Sequence, residues 1–166
     1  MPGSTAPPSD AKAALRRELL AHLEAALAAA EAAHAAATEG ATHAEARPEN
    51  SKDTRALEQS YLARGQAARV EELRTAVTEV TAWTPRAFAA GAAIGLGALV
   101  TVEEDGAEAR YLVAPHGGGA RLDDDAIGVV TPRSPLGRAL VGRRAGDDVE
   151  VRLPGRLREL VITAVA

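Results

Sequence analysis

Ser134-Pro-Leu-Gly-Arg-Ala-Leu-Val-Gly142 is a short helix with both ends written into the sequence. Ser134 is a natural N-cap, because its side-chain oxygen accepts from a backbone N–H of the first turn. Pro135 follows at the first helical position, where its missing N–H is no loss and its fixed φ suits the helix. Leu136, Leu140 and Val141 share one face. Gly142 stands where a left-handed residue stops a helix. Arg143 and Arg144 come next, Gly146-Asp-Asp148 turns the chain, and Val149-Glu-Val-Arg-Leu153 alternates as a strand does.

Upstream of this helix the period is also two. Leu99-Val-Thr-Val102, Ala109-Arg-Tyr-Leu-Val113 and Ile127-Gly-Val-Val130 read as strands, and Leu160-Val-Ile162 follows downstream. The turns between them are rich in Gly and Asp: Glu104-Asp-Gly106, His116-Gly-Gly-Gly119 and Asp123-Asp-Asp125. The fold class is α+β, a mostly antiparallel sheet with one short helix across it.

The first half of the chain is of another kind. Residues 1–10 contain Pro, Ser and Gly and read as a disordered tail. Ala11 to about Glu39 is a strong helix with no Pro or Gly. Leu20, Leu23, Leu27, Ala30, His34 and Ala37 step by three and four, as in a coiled-coil seam. A second helix runs from about Asp53 to Ala82, with Ala56, Gln59, Ala63, Gln66, Val70, Leu73, Val77 and Val80 as its seam. The two make an antiparallel hairpin over 11–82, with its tip at about 40–53, well glued at the base and thin at the tip. Residues 83–93, with Pro85 and Gly91, read as a linker in which the chain can rotate, and 94–166 as the sheet domain. Trp83 and Phe88 are expected to pack the hairpin base against the sheet.

Composition narrows the function. The 166 residues carry a net charge of −4 and no cysteine. A DNA-coating role needs a basic surface, so this balance speaks against one. Disulfides and thiolate metal sites are excluded, in keeping with a reducing compartment. No apolar run reaches membrane-spanning length. The four aromatics, Tyr61, Trp83, Phe88 and Tyr111, are too few for base-stacking platforms.

The order of hairpin, linker and sheet domain, with Ser134 to Gly142 and Gly146-Asp-Asp-Val149, resembles the Gre family of bacterial transcription elongation factors. Ile94-Gly-Leu-Gly97, Val100-Thr-Val102, Val129-Val-Thr-Pro132, Glu58-Gln-Ser-Tyr-Leu62 and Arg69-Val-Glu-Glu-Leu73 extend the resemblance. It implies a cytoplasmic, monomeric protein whose C-terminal domain is FKBP-like and docks on the secondary-channel rim of bacterial RNA polymerase. The hairpin tip would enter the channel toward the nascent RNA 3′ end. Carboxylates there would help hold a Mg²⁺ shared with the polymerase and stimulate cleavage of backtracked RNA. The factor is then no enzyme alone, and has no cofactor of its own. For docking, the candidates are Ser134, Pro135, Leu136, Gly137, Arg138, Arg143 and Arg144. Arg138, Arg143 and Arg144 are favoured, since Leu136, Leu140 and Val141 read as core.

The tip, Arg47-Pro-Glu-Asn-Ser-Lys-Asp-Thr-Arg55, departs from the family pattern of an Asp and a Glu three apart. Counted back from Arg69, the first acid position is Glu49 and the second is Lys52, with Asp53 next. Glu49 and Asp53 are the catalytic and metal candidates. Four residues apart, they share a helix face if Pro48 opens the helix. If Asp53 instead caps a helix starting at Thr54, its carboxylate serves the backbone. Arg47, Lys52 and Arg55 are candidate RNA contacts, whereas Arg64 reads as part of a solvated face. Asp123-Asp-Asp125 lacks the ligand spacing of a calcium loop, and Gly117-Gly-Gly119 lacks the Lys and helix of a phosphate loop. Three function classes follow: a cleavage-stimulating factor, a regulator that binds the same way without cutting, and a prolyl isomerase. The last needs an aromatic-lined pocket, and after Phe88 only Tyr111 is aromatic.

Overall fold

The computed structural model describes residues 9–45 and 54–166. It divides into two compact units, one of residues up to Leu20 with Glu79–Ala166, the other Ala21–Thr78. The division falls inside both long helices, so the base of each helix belongs with the sheet.

Two helices fill the first half, α1 (Ser9–Glu45) and α2 (Thr54–Ala82). The expected break at Gly40 does not occur. A glycine inside a helix costs only about 1 kcal/mol, and a Cβ on Gly40 would make only an ordinary contact, 3.8 Å, with the Gln59 amide. In the hairpin unit, Leu23, Ala30, Val70, Leu73 and Ala76 are buried, while Leu27, His34, Ala37, Gln59, Ala63 and Gln66 are half-buried. Arg74 bridges the two helices to Glu31 at 2.7 Å, an exposed pair that adds little. Nδ1 of His34 and Oε1 of Gln59 are buried without a hydrogen-bond partner. The seam therefore loosens away from the base, as its residue types predict.

The sheet unit holds six strands: β1 (Leu99–Glu104), β2 (Ala107–Val113), β3 (Arg121–Leu122), β4 (Ile127–Val130), β5 (Asp148–Leu153) and β6 (Arg156–Val165). Their order is β3-β4-β2-β1-β6-β5. All neighbours are antiparallel except β2 and β4, which run parallel from Arg110↔Ile127 to Val113↔Val130. Strand β3 was not foreseen, since two residues show no period. Asp105 and Gly106 both have positive φ, which gives the two-residue turn that matches hairpin twist. The short helix α3 (Pro135–Leu140) lies over one face. Its Leu136 and Leu140 join Val100, Val102, Val113, Val149, Val151, Leu160 and Ile162 in one core.

In this unit the start of α1 corrects the seam. Leu19, not Leu20, is fully buried. Near its base α1 packs against the sheet's loops, and a Cβ on Gly117 would come within 2.5 Å of a Leu19 methyl. One residue earlier, the Glu18 carboxylate accepts from the Asp123 N–H at 3.1 Å. His116, in the loop after β2, meets Glu79 of α2 at 2.6 Å.

Lys12 ends this row of contacts and is only 2% exposed. Its Nζ donates to the carbonyls of Arg86 at 2.8 Å, Gly97 at 2.9 Å and Ala166 at 2.7 Å. The Phe88 ring centroid is 4.8 Å away, a cation–π distance. The residues expected to form a rotatable linker are thus strapped down. Phe88 is buried, Ile94 exchanges hydrogen bonds with Gly142 and Arg143, and the Arg144 guanidinium donates to the Gly91 carbonyl.

Burial, aided by the charge of Arg86, lowers Lys12 from the usual 10.5 to about 8. Between those values the unfolded chain still holds a proton that the folded chain has released. Stability therefore rises with pH across that window, and the penalty for burying the charge is full below it. Urea unfolding is expected to show stability rising from pH 8 to 10.5. The Lys12→Met protein should lack that slope.

Candidate functional site

The N-terminus of α3 is built as its sequence implies, and more tightly. Ser134 Oγ accepts from the Gly137 N–H at 3.0 Å and donates to the Thr131 carbonyl at 2.8 Å. Gly137 is there for space: a Cβ would stand 1.8 Å from the Thr131 oxygen. Val141 caps the far end, and Gly142 takes φ +86°.

This geometry sorts the docking candidates. Leu136 and Gly137 are buried, and Ser134 is engaged in its cap, so these three shape the patch from beneath and are not its contact surface. Pro135, Arg138, Arg143 and Arg144 are exposed. Val141, read as core, is 40% exposed instead, because the helix ends one residue before it. Arg138, Arg143 and Val141 line a groove of about 910 Å³ that also includes Glu103, Glu150 and Glu159. A second cleft, of about 570 Å³, runs beside Ser134, Pro135 and Leu136, with Tyr111 and Leu153 opposite. Tyr111 is the aromatic in its wall, and its hydroxyl lies 3.5 Å from Arg158. Arg158 also grips Glu104 with contacts of 2.6–3.1 Å. That pairing holds the Glu104 carboxyl below the usual range and raises Arg158.

The tip candidates Glu49, Asp53, Arg47 and Lys52 lie outside the described residues. Arg55 lies in the first turn of α2. Among the described residues, no group of three or more His, Cys, Asp or Glu could hold a metal ion. Sequence reasoning missed Lys12. Its signal was available: the chain has two lysines, Lys12 and Lys52, against 17 arginines.

Residues 90–166 match the family model described as "Transcription elongation factor, GreA/GreB, C-term". Over 162 residues the chain is 32% identical to transcription elongation factor GreA of Xanthomonas axonopodis pv. citri, covering 96% of each protein. The chain belongs to the GreA/GreB family. A second family member, GreA of Polaromonas naphthalenivorans, is 29% identical over 99 residues, and the chain spans 60% of its length. The crystal structure of GreA factor homolog 1 (Gfh1) of Thermus thermophilus aligns over 92% of this chain and 95% of that one. Its identity is 22% and its TM-score 0.39, too low to argue from. No helix among the described residues is long and apolar enough to cross a membrane.

Within this family member, the Ser134 run is a fold determinant first. Gly137→Ala should destabilise the protein by about 3 kcal/mol through overpacking, and Ser134→Ala by about 1 kcal/mol through loss of the cap. Chemical denaturation measures both. An equal, small effect would contradict the role given to Gly137.

Proposed function

We propose that this protein binds bacterial RNA polymerase at the rim of the secondary channel and reaches toward the active site with residues 46–53. There it stimulates Mg²⁺-dependent cleavage of backtracked RNA and rescues arrested complexes. Support comes from the family membership, which extends over 96% of a relative named a transcription elongation factor. Pro135, Arg138, Arg143 and Arg144 supply an exposed patch for docking. Glu49 and Asp53 supply the carboxylates.

Two carboxylates suit a hard cation but are too few to hold it alone, so the ion would be shared with the polymerase. Such an ion, once bound, lowers the pKa of water and stabilises an in-line displacement. Arg47, Lys52 and Arg55 would face the RNA and balance its phosphates. The chemistry belongs to the polymerase, and this chain contributes position and charge.

A second reading is favoured by one feature, Lys52 where the family pattern has its second acid. On that reading the protein occupies the same channel and modulates or inhibits the polymerase without cutting.

One assay decides. Purified polymerase is stalled in a backtracked state, and the protein is added with Mg²⁺. Short 3′ RNA fragments are expected, and should be lost in Glu49→Ala and Asp53→Ala proteins that still bind. Binding and altered pausing without fragments select the second reading. No binding overturns both.

A further inference from the structure

We infer that Lys12 is a positioning residue, the one side chain that clasps the start of α1 to the strap of residues 83–98, the entry to β1 and the end of β6. This rests on the proposed function for its consequence, but its geometry stands alone. The three acceptors are 74, 85 and 154 residues away in sequence. They belong to segments that no strand ladder joins into one piece with α1. The neighbouring turn extends the clasp, since Arg16 donates to the carbonyls of Thr81 at 2.8 Å and Trp83 at 3.1 Å. The last turn of α2 is caught as well.

The residue type carries the inference. An ammonium has three N–H groups in a pyramid, while a guanidinium is a flat fork. Three carbonyls converging on one point, with the Phe88 ring beside them, fit the first and not the second. A chain that uses arginine at 17 of its 19 basic positions keeps lysine here. The charged group facing Lys12 is Arg86, whose guanidinium sits 4.7 Å from the same Phe88 ring. The ammonium is therefore held by three main-chain oxygens and a ring face.

The consequence is for aim. Lys12 touches neither polymerase nor RNA in the proposed function. It fixes the base from which both helices continue, so its loss should spare docking and impair the step at the tip.

The chain has no cysteine, which permits a direct test. Lys12→Cys is alkylated in denaturant with 2-bromoethylamine, which restores the ammonium at nearly the same reach, or with a propyl halide, which restores only bulk. Both are refolded beside wild type and Lys12→Met. Hydrogen exchange at the Leu99 and Ala166 amides, with polymerase binding and RNA cleavage, is then measured. Lys12→Met and the propyl form should bind polymerase within about twofold of wild type, and lose about tenfold in amide protection. Stimulated cleavage should fall by about 100-fold, as for a misplaced reacting group. The aminoethyl form should recover all three. The inference is overturned if Lys12→Met matches wild type, if propyl rescues as well as aminoethyl, or if binding falls in step with cleavage. If wild type does not cut RNA, the cleavage reading fails and exchange decides: protection lost in the propyl form and regained with the aminoethyl group supports the clasp, and protection not regained overturns it.

Discussion

An ammonium group buried among main-chain oxygens holds the sheet unit together. Lys12 sits 2% exposed among three carbonyls and a phenyl ring. Taking a charge from water is costly, and the cost appears as its lowered pKa. The cost is partly offset because each N–H finds an acceptor. The carbonyls of Arg86 and Gly97 need a donor there as much as the ammonium needs them. Phe88 is buried under it, Trp83 is half-buried beside Gly97, and the strap cannot swing as a free linker would.

The second constraint is steric. Helix α3 meets the chain before it so closely that residue 137 has no room for a side chain. Ser134 reaches both ways across that contact, accepting from Gly137 and donating to Thr131. The run from Ser134 to Gly142 is thus explained from inside. Leu136, Gly137 and Leu140 serve packing, Ser134 serves the cap, and Pro135 and the arginines are left exposed.

Much of this was legible in the sequence. The period-two runs gave β1, β2, β4, β5 and β6, because their alternation faces a core on one side. The capping residues gave α3 and its stop at Gly142. Strand β3 was hidden because Arg121 and Leu122 are too short to show a pattern. Gly40 misled because glycine's helix penalty is small beside the contacts of a long hairpin. The site was less legible than the fold. Burial of Leu136 and Gly137 follows from how α3 crosses the sheet, and exposure of Val141 from where it ends. Lys12 was overlooked because its partners are main-chain oxygens far along the chain, and only the scarcity of lysine among 17 arginines marked it.

Two kinds of evidence meet in the functional account. Family membership and the α3 patch concern where the protein binds, while Glu49 and Asp53 concern what it does there. The claim joining them is that the hairpin's far end reaches the RNA 3′ end in the bound state. Because the chain lacks cysteine, a single Glu49→Cys change can carry an iron chelate that cuts nearby nucleic acid by hydroxyl radicals. In a backtracked polymerase complex, the account predicts cuts in the transcript at its last few nucleotides. A transcript left intact, or one cut only when the chelate is moved to Val161→Cys in the sheet, would contradict it.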